Sequence, residues 1–169
     1  MKTEFTFDDK TYRHALNGHE SVLHCHHYMS LTTKLAEDFD DVGGTRILRE
    51  TAEDTIRPML DSYIKENSIS KPEERLKLGA EYYAVMGLGL MEVTGDGQTG
   101  KVTLRHSHVD EGWVQKWGKA DKFVNHFTCG FVSAVFAAAY DAPARAYHAE
   151  EMTSIAVGNS ETVIAVSKA

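Results

Sequence analysis

Apolar and polar positions along this chain follow two periods, one helical and one strand-like, in alternating blocks. Residues Glu4 to Tyr12 alternate only loosely, with Phe5 and Phe7 as fixed points, and read as a short strand or arm. Ser21 is placed to cap a helix running to about Asp38, which Gly43-Gly44 separates from the next element. From Thr45 a helical pattern runs through Ile47, Leu48, Ile56, Met59, Leu60, Tyr63 and Ile64. Pro58 inside it predicts a kink or a break. Pro72, followed by Glu73 and Glu74, opens a third helix toward Tyr83, since proline suits a first turn and carboxylates suit the positive end of a helix.

Period two then takes over. Val85 to Val93 and Lys101 to Val109 read as strands joined around Gly95-Asp96-Gly97. A long helix is predicted from about Asp121 to Tyr140, with Phe123, Phe127, Phe131, Ala134, Val135 and Ala138 on its apolar side. After Pro143, Ala144 to Val157 and Thr162 to Ser167 read as two more strands around Gly158-Asn159. Helices, hairpin, helix, hairpin is the order of an α+β domain, an antiparallel sheet packed against helices.

The same periods assign directions to four histidines. At about 100° per residue, His24, His27, Tyr28, Leu31 and Leu35 share one helix stripe, which the leucines mark as the core side. His26 falls opposite, toward solvent. On the strand, Val102, Leu104, His106 and His108 share a face, again the apolar one. Helical i,i+3 and strand i,i+2 pairs each set two imidazoles side by side, as metal ligands often stand. The competing reading is a set of core histidines whose ring nitrogens are satisfied by Tyr28, Tyr82, Tyr83 or Glu92. An unpaired buried nitrogen would cost ~1–3 kcal/mol.

Composition narrows the classes. The 169 residues are 42% hydrophobic and 25% charged, ordinary for one globular domain. A net charge of -7 supplies no basic surface for a phosphate backbone, so no nucleic-acid partner is expected. No apolar run approaches the ~20 residues of a membrane span. The polar start Met1-Lys2-Thr3-Glu4 lacks a signal-peptide core, and two cysteines, Cys25 and Cys129, give no disulfide framework. A cytoplasmic protein without a membrane partner is expected. No phosphate loop, nucleophile elbow or zinc-protease motif is present. Trp113 and Trp117, at i,i+4, either floor a pocket or cover the sheet end. Glu151 follows Glu150 in a strand, so one of the two must face inward and find a partner.

Gly87-Leu88-Gly89 before a strand, the hairpin, and Asn125-His126-Phe127-Thr128-Cys129-Gly130-Phe131-Val132-Ser133-Ala134 opening a helix together resemble the 4-vinyl reductase domain family. The Ala144–Glu151 strand, the Ala156-Val157-Gly158-Asn159 turn and Val163-Ile164-Ala165-Val166 continue that pattern. Upstream, Thr45-Arg46-Ile47-Leu48-Arg49-Glu50 is similar to the family's leading helix. The resemblance covers residues 45–167, leaving 1–44 as an N-terminal helical elaboration of a single domain. It implies the α+β fold shared with heme-nitric-oxide-type sensors and vesicle-tethering subunits that hold an acyl chain. Members are mostly binding modules for hydrophobic small molecules, often homodimeric. Some precede bacterial transcription activators and sense aromatic effectors, and others are linked to bacteriochlorophyll biosynthesis.

Many members carry a metal site of the form Glu-x-x-Cys with a further cysteine beyond the turn. Glu151 fits the acidic position and Cys129 lies near another, but Ser154 and Thr162 stand where the other two thiols would be. Hydroxyls are poor zinc ligands at neutral pH.

The expected protein is therefore a sensor or carrier of a small apolar or aromatic molecule, and a homodimer. Tyr28, Trp113, Phe127 and Phe131 would line the pocket. His24, His27, His106 and His108 would form its polar end, with zinc or iron as the candidate metal. The alternative is a metal-dependent enzyme, hydrolytic or oxygen-using, with Glu92, Glu151 or Tyr28 as acid–base groups.

Overall fold

The computed structural model describes residues 1–169. Its elements in chain order are β1 (Phe5–Asp8), β2 (Arg13–Leu16), β3 (His19–Ser21), α1 (His26–Asp38), α2 (Gly44–Glu66), α3 (Pro72–Val85), β4 (Gly89–Gly95), β5 (Thr99–Ser107), α4 (His108–Trp117), α5 (His126–Ala139), β6 (Tyr147–Thr153) and β7 (Thr162–Lys168). The four later strands form one antiparallel sheet in the order β4-β5-β7-β6. The α+β class expected from the sequence is the one observed. No helix is long and apolar enough to cross a membrane.

The apolar stretch after Asn125 makes the centre. Asn125 caps α5 by accepting a hydrogen bond from Thr128 N, and every residue of α5 except Phe127 is buried. Its alanines and Gly130 let α2 lie close across it. A Cβ on Gly130 would stand 2.1 Å from the Arg49 carbonyl oxygen. Val102, Leu104 and Ile164 of the sheet, Phe131 and Phe136 of α5, and Tyr83 of α3 are completely buried in the core this creates. The expected start near Asp121 moves to His126 because the Asn125 side chain stops the helix there. Pro58 does not break α2, which is continuous through it. It sits on the exposed side, where the Asp54 carbonyl it leaves free can be hydrated.

Within the N-terminal 44 residues the short strand expected over Glu4–Tyr12 and the helix ending at Asp38 are both present, but more strand lies between them than the sequence pattern predicts. Residues 5–21 form a three-stranded antiparallel meander, β1-β2-β3, and only then does α1 begin. Asn17-Gly18, both at positive φ, make the two-residue turn between β2 and β3. Leu16 is the one buried residue of these strands. Asn17 Nδ2 donates to Tyr82 Oη at 2.9 Å and Lys2 N to Tyr63 Oη at 2.8 Å, tying the meander to the body at one corner.

α1 also turns the other way from its expected orientation. Met29, Ser30, Thr33 and Ala36 are buried, while His27, Tyr28, Leu31 and Leu35 are exposed. The reason is its neighbour. α4 presents Gly112, whose missing Cβ would lie 3.1 Å from Ser30 Oγ and 3.3 Å from His26 Cβ. A small side chain, Ser30, stands at the point of closest approach, and the leucines face out.

Candidate functional site

One irregularity in β5 decides where the histidines go. Met91 pairs with Leu104 but Leu90 pairs with His106, so Arg105 is an extra residue in the ladder. Gly89, at φ +130°, makes the close approach opposite it. A Cβ there would be 2.1 Å from the His106 carbonyl oxygen. Such a bulge reverses the alternation beyond it. Leu104 faces in, His106 faces solvent and Ser107 faces in. His106 Nδ1 lies 3.2 Å from Glu111 Oε1 and takes no part in an interior cluster. The expected sharing of one buried face by His106 and His108 is corrected on this ground.

Ser107 then ends the strand and caps α4, its hydroxyl accepting from Asp110 N at 3.2 Å. His108 is the first helical residue and lies half-buried against the start of α1. Its ring meets His26 edge-on at 4.2 Å and His24 at 5.3 Å, and His24 in turn meets Tyr28 at 5.7 Å. His26 Nδ1 is 2.9 Å from Gln115 Oε1, which joins α1 to α4. Burial, and after it His26 and His24, hold the His108 imidazole below its ordinary value, so it is neutral at pH 7. Its Nε2 is buried and has no hydrogen-bond partner. An open cleft of about 650 Å³ lies alongside, lined by Val22, Leu23, His24, Cys25 and Tyr28.

Of the four expected metal ligands, the structure brings together His24 and His108. His26, assigned to solvent by its helix position, joins them. His27 points outward with the rest of its stripe. No three His, Cys, Asp or Glu side chains converge in a geometry that could hold a metal ion.

The expected pocket residues separate as well. Tyr28 lines the open cleft, whereas Phe131 is completely buried in the main core with its ring edge-on to Tyr83 at 5.1 Å. Phe127 packs on the rim of that core, and Trp113 covers a small separate cluster of Ala120, Val124 and Ala156. Glu92 is exposed, facing Arg105 at 3.8 Å. The acid–base groups of the enzyme reading are thus far apart in environment: Glu92 and Tyr28 at the surface, Glu151 in the interior.

Two residues along α4 from His108 lies a buried polar centre. Asp110 is completely buried and accepts three hydrogen bonds, from Ser154 Oγ at 2.9 Å, Thr162 Oγ1 at 3.0 Å and Asn125 Nδ2 at 2.7 Å. Glu151, on β6, accepts from Asn125 N at 2.8 Å with one oxygen, while the other has no partner. Burial, with Asp110 adding repulsion, pushes the Glu151 carboxyl up to about 7. Burial likewise pushes the Cys129 thiol up to about 12.

These are the positions of the cysteine-rich metal site implied by the family resemblance, and the residues present do not fit it. The two hydroxyls that replace thiols spend their hydrogens on Asp110, and the one thiol is held protonated. A carboxylate surrounded by neutral donors occupies the centre instead. Asp110 escaped the sequence reading because Lys101–Val109 was read as strand to its end. Ser107-x-x-Asp110, a helix-start signature, was the available signal.

A second polar chain crosses from α1 to α5 and α2. Glu37 Oε1 lies 2.5 Å from His126 Nε2, and His126 Nδ1 accepts from Arg49 Nε at 3.2 Å. Burial, ahead of the opposing Glu37 contact, holds His126 below its ordinary value.

Compared with known proteins, the chain matches no protein-family model and no curated protein sequence. Its fold does match solved structures. The phenol-responsive sensory domain of the transcription activator PoxR, solved with phenol, aligns with a TM-score of 0.77 at 15% identity, over 97% of this chain and 84% of that one. A trafficking protein particle complex subunit 3 from Naegleria fowleri, covalently bound to palmitic acid, aligns with a TM-score of 0.52 at 14% identity, over 84% of this chain and 90% of that one. At such identities the likeness establishes the fold.

Proposed function

We propose that this chain is a small-molecule-binding sensor or carrier domain, and that its ligand is a small aromatic or apolar molecule bearing one hydroxyl. The cleft of Val22, Leu23 and Tyr28 would take the apolar body, and the His24–His108 corner the polar group. The observation that carries this is the unpartnered Nε2 of a neutral, half-buried His108, whose ring stands 5.3 Å from that of His24 on the wall of an apolar cleft. A buried nitrogen left unpaired costs ~1–3 kcal/mol, which a ligand hydroxyl would recover. The likeness to a phenol-responsive domain supports the same ligand class.

Calorimetric titration with phenol, cresols and toluene tests it. The reading expects saturable binding of the phenols, weaker binding of toluene, and a loss of roughly tenfold in His108→Ala, the size of one hydrogen bond. Absence of phenol binding, or binding untouched by His108→Ala, refutes it. Zinc or iron would need His24, His26 and His108 to rearrange, since as they stand they do not converge on a metal geometry. Titrating Zn²⁺ against the wild type and the His108→Ala variant decides that point separately. Both cysteines are free, and we place the domain in a reducing cytoplasm on that ground.

A further inference from the structure

An arginine is charged at every physiological pH, and its guanidinium carries five N–H donors in one plane. Of the seven arginines in this chain, six are ion-paired with a carboxylate. Arg49 is the exception, although the chain holds 25 acidic residues. It is half-buried, with Nε and Nη2 at 3.2 and 3.1 Å from His126 Nδ1 and Nη1 donating to the Ala149 carbonyl at 3.0 Å. Both partners are neutral, since burial holds His126 below its ordinary value. Three of the five N–H groups are thus spent while the charge is left uncancelled, and one N–H on each terminal nitrogen stays free. A guanidinium drawn partly out of water without a counter-ion is costly.

Arg49 lines a cleft of about 530 Å³ between the first half of α2 and β6, the edge strand of the sheet, with Gly130 and Ser133 of α5 between them. This cleft shares no lining residue with the one beside His108. Its other arginines are already neutralised, Arg46 by Glu50 and Arg145 by Glu53 and Asp54. Glu150 is exposed, where water screens its charge. Glu151 feels Arg49 but makes no contact with it, and its carboxyl, pushed up to about 7, is only a partial counter-charge. We propose that this cleft binds a small organic carboxylate. Its two oxygens would meet the free N–H groups of Arg49, a planar acceptor pair on a planar fork, and its carbon body would lie against Tyr147 and Ala149. A phosphate dianion fits less well, because Glu50, Glu53 and Glu150 line the same walls. His126 is a positioning residue here: its Nδ1 fixes the guanidinium plane, and its Nε2 is held in turn by Glu37.

Titration of the full chain with benzoate at pH 7, followed by calorimetry and by the nitrogen-15 resonance of Arg49 Nε, tests the proposal. Binding should saturate by about 10 mM benzoate and shift that resonance, and uncharged benzamide should bind roughly tenfold more weakly or worse. Arg49→Gln should lose roughly tenfold or more, and Arg49→Lys, which keeps the charge without the fork, should fall between it and the wild type. Neither inorganic phosphate nor phenol should displace benzoate. The proposal is overturned by a wild type that does not saturate, by benzamide binding equally well, by displacement with phosphate or phenol, or by an affinity unmoved in folded Arg49→Gln. Should Arg49→Gln fail to fold, an unmoved Arg49 Nε resonance in the wild type overturns it as fully. Absence of phenol binding, with benzoate still held at Arg49, faults the sensor reading of the other cleft alone.

Discussion

Replacing Asp110 by alanine should destabilise the protein more than its single missing carboxylate would indicate. The side chain is completely buried and takes hydrogen bonds from Ser154 Oγ, Thr162 Oγ1 and Asn125 Nδ2 at 2.7–3.0 Å. Alanine removes the acceptor and leaves three donors without water. Each buried unsatisfied donor costs ~1–3 kcal/mol, and with partial relaxation the sum is ~3–6 kcal/mol. For a chain of this length that is a fall in Tm of roughly 10–20 °C. Asp110→Asn keeps the shape and an acceptor oxygen, and should lose only ~1–2 kcal/mol. Ser154→Ala removes one donor and should lose ~1 kcal/mol. Urea unfolding followed by far-ultraviolet circular dichroism at pH 7 measures all three. EDTA should change none of the values, because a carboxylate and not a metal is the centre. An Asp110→Ala variant within ~1 kcal/mol of wild type refutes the reasoning. So does a Ser154→Ala variant that loses as much as Asp110→Ala.

Two further outcomes follow from the same interior. The Glu151 carboxyl, at about 7 folded against 4.5 as a free side chain, binds its proton more readily in the native state. Its contribution is present in full below pH 4.5 and is lost as pH rises through about 7, an effect of up to ~3 kcal/mol; Glu151→Gln should flatten the fall in stability between pH 4.5 and 7, and an unchanged profile would exclude Glu151 as its source. Gly130→Ala would drive a methyl group to 2.1 Å from the Arg49 carbonyl oxygen. It should force α2 from α5 at a cost of ~1–3 kcal/mol, and a melting curve like that of wild type would show the helices can part freely.

Much of the fold was legible because its strongest signals are local. Val102 and Leu104 alternate with polar neighbours, α5 is apolar almost throughout, and Pro72 opens α3 where a first-turn proline should. The site was less legible because it depends on departures from period. Period two carried past Arg105 puts His106 inside. The bulge that expels it depends on Gly89 lying against β5, a contact between residues seventeen positions apart. On α1 the apolar stripe is real, yet it does not face the chain's own core. Periodicity identifies an apolar face and cannot say which molecule covers it. The buried face of α1 is instead Met29, Ser30, Thr33 and Ala36, mostly small and partly polar, and it packs on Gly112 of α4, a helix whose first two residues the sequence pattern joins to the preceding strand and whose remainder it assigns to no element.

α4 links the two polar features of the molecule. Its start is fixed by the Arg105 bulge and the Ser107 cap, which set His108 toward α1 and Asp110 toward the β6–β7 turn. Asp110 binds that turn and the cap of α5 at once, so the helix carrying His108 is braced against the sheet and the central helix together. The other side of the cleft has no such brace: Val22 and Leu23 are exposed on the connection between β3 and α1, beside a meander anchored at one corner, and Tyr28 is exposed on the first turn of α1. The His108 half of the proposed site is therefore preorganised by the buried carboxylate, while the Val22–Leu23 half is held by fewer contacts. A ligand that bridges the halves would tie the Val22–Leu23 connection to α4 through His24 and His108.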